Sequence, residues 1–515
     1  MLGITTVSYR FNIMGEYTDI LQAKRGILQG DPLSPMLFVL IIEYMNRLLM
    51  KMQRDPNFNY HAKCEKLKIT NLTFANDVLL FCRGDEISLH MILQTFRAFS
   101  MSTGLIMNPN KCRIYFGGLD KEKRKVLKEM SGFQEGTLPF RYLGIPLVGR
   151  KLNITHFMPL VDRIVARIHH WSSKLLSYAG RIQLVKIITI VMVQHWLHYL
   201  PMPKTVIKKI DSICRSFIWT GKDTVSRKSA RCLFFANNMC SPVAWKHMSC
   251  PTAQGGLNLI NLQIWNNVLL LKCLWNLCKK SDNLWVKWIH IHYFKNKQIM
   301  NYETKTESFW IMRRILKQRD TMDLIRNEWD QLLISHRFKV SVFYKVLIDD
   351  GTRVPWRNLI RSNKSRLRAF FCLWQACHGK LATKDRLKRF GMIQDSQCSL
   401  CHTEEETMNH LFFCCQGTRH IWKKVLHWFN IVHTPQPWDA ELIWITNMTK
   451  GKSWKVDIFK MLVAETIHCI WGYRNSTTFG KPIDIITVAT NIIDNVTYRG
   501  WQNLKIRKHL VSYML

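Results

Sequence analysis

The stretch Leu72-Thr-Phe-Ala-Asn-Asp-Val-Leu-Leu-Phe81 decides the fold of the first part of this chain. Two apolar, β-prone runs flank the polar pair Asn76-Asp77. Such a pattern predicts a strand, a tight turn and a second strand, because Asn and Asp favour turns whereas aromatic and β-branched residues favour strands. The hairpin would therefore carry a carboxylate, Asp77, at its tip.

A second informative segment, Arg25-Gly-Ile-Leu-Gln-Gly-Asp-Pro-Leu-Ser-Pro35, precedes the hairpin and runs into an apolar sequence. Ser34 is a good N-cap, and Pro35 is a good first residue of a helix. We therefore expect a helix from Met36 to about Met52. Because this segment is apolar almost all round, we expect the helix to be deeply packed.

Helical and extended segments alternate after the hairpin before the pattern becomes mainly helical. We predict a helix from Glu86 to Ser102 that ends at Gly104, and a strand from Arg113 to Phe116. Tyr142 to Leu147 is predicted to be a further strand or turn. Beyond residue 150 the apolar spacing predicts helices from His169 to Leu200, Asp211 to Trp219 and Asn261 to Lys280.

The composition indicates a folded, strongly basic protein. The chain has 515 residues, of which 47% are hydrophobic, so it is long and apolar enough for several domains. Its 74 Lys and Arg residues against 36 Asp and Glu give a net charge of +38. Such an excess suits a polyanion, and RNA and DNA are the expected partners. A merely basic protein without a polyanionic partner is the alternative.

No segment predicts membrane insertion or secretion. The N-terminal residues lack the apolar core of a signal peptide, and no apolar run reaches the roughly 18–20 residues of a transmembrane helix. The 16 cysteines stand mostly singly among apolar residues, as is typical of buried thiols in a reducing compartment. We expect an intracellular protein of the nucleus or cytoplasm, although the sequence carries no clear targeting signal.

The two N-terminal segments together resemble the palm of a reverse transcriptase of the non-LTR (LINE-type) retrotransposon family, in its plant form. The resemblance implies an α+β fold in which a truncated palm is followed by helical regions and a zinc-binding domain. It divides the chain into a partial palm (1–150), a helical thumb-like or connection region (151–290), a helical linker (291–360), a mainly helical reverse-transcriptase zinc-binding domain (361–480) and a C-terminal helical tail (481–515).

The same resemblance assigns polymerase roles to residues near the hairpin. The family activity is RNA-templated DNA synthesis with Mg²⁺ held by clustered aspartates. Asp77 matches the second of two adjacent tip aspartates, whereas the uncharged Asn76 occupies the place of the first. Gln29, Gly30 and Lys111 resemble residues that contact the nucleotide and the template. As a simple turn pair, Asn76 and Asp77 would need no catalytic role.

A third family aspartate belongs on a strand upstream of the Gln-Gly-Asp-Pro stretch. Only Glu16 and Asp19 precede that stretch, and both stand in the wrong sequence context. We therefore expect the chain to begin inside the palm. With Asn76 in the hairpin, the chain is expected to be a catalytically inactive fragment of an RNA-directed DNA polymerase.

A cysteine–histidine cluster near residue 400 predicts a metal site. Cys398-Ser-Leu-Cys401 is a Cys-x-x-Cys knuckle, and it is followed by His410 and the pair Cys414-Cys415. Two thiolates on a turn, with a His and a Cys near a helix, commonly form a closed, structural zinc site. Helical spacing would place His410 and Cys414 on one face, but the family resemblance favours Cys415 as the fourth ligand. Free cysteines in a small core are the alternative.

A basic run precedes this cluster and favours nucleic-acid binding. Residues 361–389 contain nine Lys or Arg and one acid, Asp385. A charge run of this kind is often a solvated face, but beside a zinc knuckle we expect phosphate contacts. Two further functions therefore stand beside the inactive polymerase: a nucleic-acid-binding protein acting through the basic zinc region, and a decayed element product without a selected role.

Overall fold

The computed structural model describes residues 8–22, 30–149, 152–170, 176–221, 243–295, 297–302, 309–326, 329, 337–348, 351–480 and 484–514. Gln29 therefore lies outside the described residues. The chain forms two compact units: one combines residues 1–151 with 280–303, and the other combines 152–279 with 304–515. Long helices and short strands give a mixed α+β architecture.

The first unit contains the strands. In the described part of the chain they pair in twos, and the longest pair is the predicted hairpin, in which Asn71–Phe74 lies antiparallel to Asp77–Leu80. The other paired strands are Ser8–Tyr9 with Leu21–Gln22, Asn12–Ile13 with Glu16–Tyr17, Arg113–Ile114 with Gln134–Glu135 in parallel, and Phe140–Tyr142 with Ile145–Leu147.

Three helices accompany these strands, and a later segment returns to them. The helices are Ser34–Met52, Glu86–Thr103 and Lys121–Ser131. Met45 and Leu49 of the first helix pack with Ile92 and Phe96 of the second to form the core of this unit. The helix Leu284–Ile289 belongs to the same unit, where Trp288 Nε1 donates a hydrogen bond to Lys63 O at 2.9 Å.

Two expectations for the first helix are wrong. Leu33, not Ser34, is the N-cap, and Asp31 Oδ1 accepts a hydrogen bond from Leu33 N at 2.7 Å. The helix is also not deeply packed, because Met36, Val39 and Leu40 are exposed on one face. Although apolar residues occur on every face of this helix, only one side of it is buried. The predicted helix after the hairpin is confirmed: it begins after the N-cap Asp85 and ends at Gly104, whose φ is +73°.

The described residues of the second unit form helices and connecting loops, with one isolated bridge between Gln397 and Glu405. Its helices are Ile154–His170, Tyr178–Ile188, Thr189–Val193 (a π-helical turn), Gln194–Tyr199, Lys204–Thr220, Trp245–Met248, Leu262–Cys278, Trp310–Leu316, Arg319–Leu324, Val340–Ile348, Arg357–Ile360, Leu367–Cys377, Lys384–Arg389, Met408–Leu411, Gln416–Trp428, Trp438–Met448, Trp454–Thr478, Ile485–Trp501 and Leu504–Met514.

The helix Trp454–Thr478, which we call the central helix, organises the end of this unit. Its residues from Ile458 to Ile467 are buried all round, and it packs against Leu367–Cys377 and Ile485–Trp501. The predicted helix from Asp211 begins earlier, at Lys204, because Pro203 serves as its N-cap rather than only breaking the preceding helix. No helix among the described residues is long and apolar enough to cross a membrane.

Candidate metal centre and the hairpin site

The cysteine–histidine cluster begins with a tight turn between two paired residues. Gln397 and Glu405 form an antiparallel bridge, and Cys398 N donates a hydrogen bond to Glu404 O at 2.8 Å. Between them the backbone of His402 adopts a φ of +55°. Leu400 N points at Cys398 Sγ from 3.5 Å. The turn thereby returns the chain on itself and closes the loop that carries Cys398 and Cys401.

Two short helices supply the other candidate ligands. His410 lies in Met408–Leu411, where Thr407 Oγ1 caps the helix by accepting a hydrogen bond from His410 N at 3.2 Å. Cys415 is the N-cap residue of Gln416–Trp428, and its backbone N donates to His410 O at 2.8 Å. This direct backbone link fixes the separation of His410 and Cys415.

The four candidate ligands meet at one point. The ligand atoms of Cys398, Cys401, His410 and Cys415 all lie within 4.8 Å of one another. Cys398 Sγ is 3.9 Å from Cys415 Sγ, and Cys401 Sγ is 3.3 Å from His410 Nε2. A tetrahedral zinc ion with Zn–S bonds of about 2.3 Å separates its ligand atoms by about 3.5–3.8 Å. Cys414 lies outside this group of four.

The ring of His410 has a second polar neighbour. Its Nδ1 is buried and lies 2.9 Å from Glu404 Oε2, but at an angle that forms no hydrogen bond. Nε2, on the other side of the ring, faces the thiols. A carboxylate beside the ring nitrogen that does not bind metal is the usual companion of a zinc-bound histidine.

The charges of the four groups are coupled. The hydrogen bond from the Cys415 thiol lowers the pKa of Cys398 to about 4, and the same bond raises the pKa of Cys415. Burial opposes ionisation of Cys401, but hydrogen bonds from Thr403 and Glu404 lower its pKa overall. Burial likewise disfavours a charged His410, yet the neighbouring sulfur atoms raise its pKa. The cluster thus gathers negative sulfur around a point where a cation would be stabilised.

The basic run beside this cluster is largely committed to internal contacts. Lys364 pairs with Asp457 at 2.7 Å, and Arg366 donates to Glu465, whose side chain is only 1% exposed. Lys384 and Arg389 pair with Asp395 and Asp385, and Arg386 donates to Leu381 O. The two acids on the central helix, Asp457 and Glu465, are far from the run in sequence. Lys364 and Arg366 therefore tie the run to the central helix, whereas Lys384 and Arg389 form pairs at the surface.

The hairpin that carries Asp77 has a strained turn. Phe74 and Asp77 are the last paired residues, so Ala75 and Asn76 form the turn and Asp77 begins the second strand. The predicted turn pair, Asn76-Asp77, is therefore shifted by one residue. Ala75 has a φ of +49°, a left-handed conformation that is uncommon for residues other than Gly and that clusters at functional sites.

The other predicted polymerase residues lie in turns of the first unit. Gly30 has a φ of +94°, which a residue with a Cβ would adopt only with strain. Lys111 is exposed in a turn where its N donates to Asn108 O at 3.0 Å. Tyr142 lies close enough to Asp77 that the carboxylate adds to the effect of burial in raising the pKa of Tyr142.

Among the described residues, Asp77 belongs to no cluster of three or more potential metal ligands. In the described part of the chain, the single group of three or more Cys, His, Asp or Glu residues with convergent ligand atoms is the Cys398 cluster. Glu16 lies in a separate short hairpin with Asn12–Ile13, and Asp19 follows it. Neither residue forms such a group with Asp77.

Two family models match this chain, one over the segment that contains the hairpin and one over the segment that contains the cysteine–histidine cluster. A family model described as reverse transcriptase (RNA-dependent DNA polymerase) matches residues 4–147, which include Asn76, Asp77 and Lys111. A second model, described as zinc-binding in reverse transcriptase, matches residues 338–422 and contains all four clustered ligands. The chain is related to the reverse transcriptases of non-LTR retrotransposons.

Curated relatives agree with this lineage. A retrovirus-related Pol polyprotein from the type-2 retrotransposable element R2DM of Drosophila melanogaster is 24% identical over 76% of this chain and 34% of its own length. One from the type-1 element R2 of Popillia japonica is 32% identical over 22% of this chain and 18% of its own. A putative ribonuclease H protein of Arabidopsis thaliana is 26% identical over 27% and 21%. The chain thus matches no more than about a third of these relatives' length.

Two features of the zinc-binding region were not predicted from the sequence. The Cys-x-x-Cys pattern does not by itself predict Glu404 beside His410, although a carboxylate six residues before a candidate ligand is a visible signal once the knuckle is recognised. Nor could the sequence show that Asp457 and Glu465 neutralise Lys364 and Arg366. Those pairs depend on how the central helix packs.

Proposed function

We propose that this chain is the polymerase and zinc-binding part of a retrotransposon reverse transcriptase, with a polymerase centre that is incomplete in the chain itself and a retained capacity to bind RNA and DNA. The observation that carries the proposal is the hairpin turn. Asn76 places a neutral amide where the family has a carboxylate, and among the described residues Asp77 belongs to no group of three or more convergent ligand side chains.

The residues present do not fit a two-metal polymerase site. Two divalent cations about 3.5–4 Å apart must share several anionic oxygens, and magnesium binds hard carboxylate ligands. Asp77 offers one such group. An Asn76 oxygen could contact a cation but cannot neutralise it. Asp77 alone would not support Mg²⁺-dependent catalysis, and Gln29, Gly30 and Lys111 would serve only in contacts with a nucleotide or template.

The residues of the second site do fit zinc. Cys398, Cys401, His410 and Cys415 would hold the ion, and with four protein ligands no position would remain for a substrate, so its role would be structural. Zinc would supply a cross-link between the Cys398 turn and the two helices that carry His410 and Cys415. Glu404 would orient the His410 ring. Binding energy at such a site contributes directly to folding.

Charge supports nucleic-acid binding. The net charge of +38 and the family of the two matched segments both favour phosphate backbones as partners. Such binding should depend steeply on salt and weakly on sequence. Exposed members of the basic run, such as Arg368 and Lys388, would contribute, whereas Arg366 is held by Glu465.

One preparation of the chain tests this proposal with two assays. Fluorescence anisotropy with labelled RNA and DNA across a salt series measures binding, and primer extension on an RNA template measures polymerisation. We expect salt-dependent binding without extension. Extension by the chain alone would overturn the proposed incompleteness, and binding that does not change with salt would overturn the proposed phosphate contacts.

A further inference from the structure

The end of the chain forms a surface that neither matched segment includes. The helix Leu504–Met514 packs beside the start of the central helix, and its Ile506 and Leu510 are fully buried. The same helix also packs against Ile485–Trp501, where Gly500 permits the close approach, since a Cβ at that position would lie 2.2 Å from Leu510 Cδ1. The exposed residues of Leu504–Met514 are therefore fixed relative to the start of the central helix.

Basic side chains and aromatic rings alternate on this surface. The rings of Trp454 and His509 are stacked, with centroids 5.0 Å apart and planes within 6° of parallel. Lys455 Nζ lies 5.7 Å from the centroid of Trp454, and Arg507 Cζ lies 5.5 Å from that of Trp501. The C-terminal basic surface, as we name it, consists of Lys452, Lys455, Trp501, Arg507, Lys508 and His509.

The positive charge here is not neutralised by neighbouring acids. No Asp or Glu occurs in residues 449–456 or 495–515. The next acid along the central helix, Asp457, is paired with Lys364. Lys452, Lys455 and Lys508 are exposed and form no ion pair with another described residue. This distinguishes the surface from the basic run at 361–389, most of whose cations are occupied internally.

We propose that the C-terminal basic surface binds the phosphate backbone of single-stranded nucleic acid and stacks a base on Trp501. Single-strand sites combine basic side chains with accessible aromatic rings, and an adjacent Arg strengthens stacking by a cation–π contact. Trp501 is 42% exposed beside Arg507, so its ring is accessible to a base. A duplex would not stack a base on Trp501, because its bases are already stacked on one another.

This inference rests on the nucleic-acid binding proposed above and assigns it a location. The test uses the full chain and a fluorescent oligothymidylate. The variant Lys452→Ala/Lys455→Ala/Lys508→Ala removes three charges from the surface. Lys121→Ala/Lys125→Ala/Lys128→Ala removes three exposed lysines from a helix of the first unit and serves as the matched control. Circular dichroism and melting curves should show that both variants fold.

We expect the log–log salt slope of the surface variant to be shallower by about 2, since each lost single-strand phosphate contact removes about 0.7. The control slope should stay within error of the native one. An equal change in both variants, or none in the surface variant, would overturn this location while leaving nucleic-acid binding intact. A native chain that binds no oligothymidylate would overturn both proposals.

Substitutions of Trp501 test the proposed base stacking separately from the phosphate contacts. Trp501→Ala should weaken binding of the oligothymidylate at least about fivefold, whereas Trp501→Phe should retain most of the affinity because the ring remains. Neither variant should weaken binding of a blunt DNA duplex. If Trp501→Ala weakens single-strand and duplex binding equally, or leaves both unchanged, the stacking role of Trp501 is wrong.

Discussion

Arg474 and Glu406 form an ion pair between the central helix and the segment that follows the Gln397–Glu405 bridge, although 68 residues separate them. Both side chains are buried, and Arg474 donates from Nε at 3.0 Å and from Nη2 at 2.6 Å to Glu406 Oε1. Lys384 N donates to the same oxygen at 3.0 Å. The pair thereby joins three segments of the zinc-binding region.

Breaking this pair should destabilise the region strongly. Arg474→Met leaves a buried carboxylate without its partner, which typically costs about 3–5 kcal/mol. Chemical denaturation monitored by tryptophan fluorescence measures the loss. Arg389→Ala is the control, because Arg389 is exposed and its pair with Asp385 should contribute less than about 1 kcal/mol. Equal effects of the two substitutions would contradict the role assigned to Arg474.

Metal content should distinguish the two adjacent cysteines. Purified protein should contain about one zinc per chain, and Cys401→Ser or Cys415→Ser should release it and lower the melting temperature of the region. Cys414→Ser should retain zinc, because Cys414 lies outside the cluster. Atomic emission spectroscopy measures the metal. Loss of zinc in the Cys414 variant but not in the Cys415 variant would show that the ligand set is wrong.

Asp211 should make the second unit less stable as pH rises. Burial raises the pKa of Asp211 to about 6, against the opposing effects of Trp245 and Arg215. The folded state then binds the proton more tightly than the unfolded state, so folding stability is fully present below the ordinary carboxyl pKa and is lost between that value and about pH 6. Asp211→Asn should remove this dependence.

The gain from Asp211→Asn should therefore depend on pH. We expect about 3 kcal/mol of added stability at pH 7–8 and almost none at pH 4, measured by urea denaturation at each pH. A benefit that is the same at both pH values would contradict burial of a titrating carboxyl group. Asp494→Asn, at an exposed position, provides the matched control.

Two neighbouring arginines should behave differently in binding and in stability. Arg366 is held by Glu465, whereas Arg368 is exposed on the same helix. Arg366→Ala should lower the free energy of unfolding, because it leaves Glu465 buried without a partner. Arg368→Ala should leave stability nearly unchanged and make the salt slope of RNA binding shallower by about 0.7–0.9. If Arg366→Ala instead changed the salt slope and Arg368→Ala instead lowered the stability, Arg366 would be the phosphate contact.

The sequence predicted local elements well where local chemistry determines them. The hairpin at Leu72–Phe81 and the helix ended by Gly104 follow from residue preferences within a few positions. The same holds for the Cys-x-x-Cys turn. The exposed face of the Ser34–Met52 helix could not be predicted in this way, because burial depends on which segments pack against it. The internal pairing of Arg366, which belongs to the basic run expected to contact phosphates, could not be predicted either, since its partner Glu465 lies 99 residues away.

Primer extension by the chain itself tests the central claim most directly. Loss of about 4 kcal/mol of transition-state stabilisation slows a reaction roughly a thousandfold, and Asn76 removes a charge from a site that needs several. We expect no Mg²⁺-dependent extension of an RNA-templated primer by the native chain, and none by Asn76→Asp, because Asp77 belongs to no group of three or more convergent ligand side chains among the described residues. Extension by the native chain that Asp77→Ala abolishes would contradict the account.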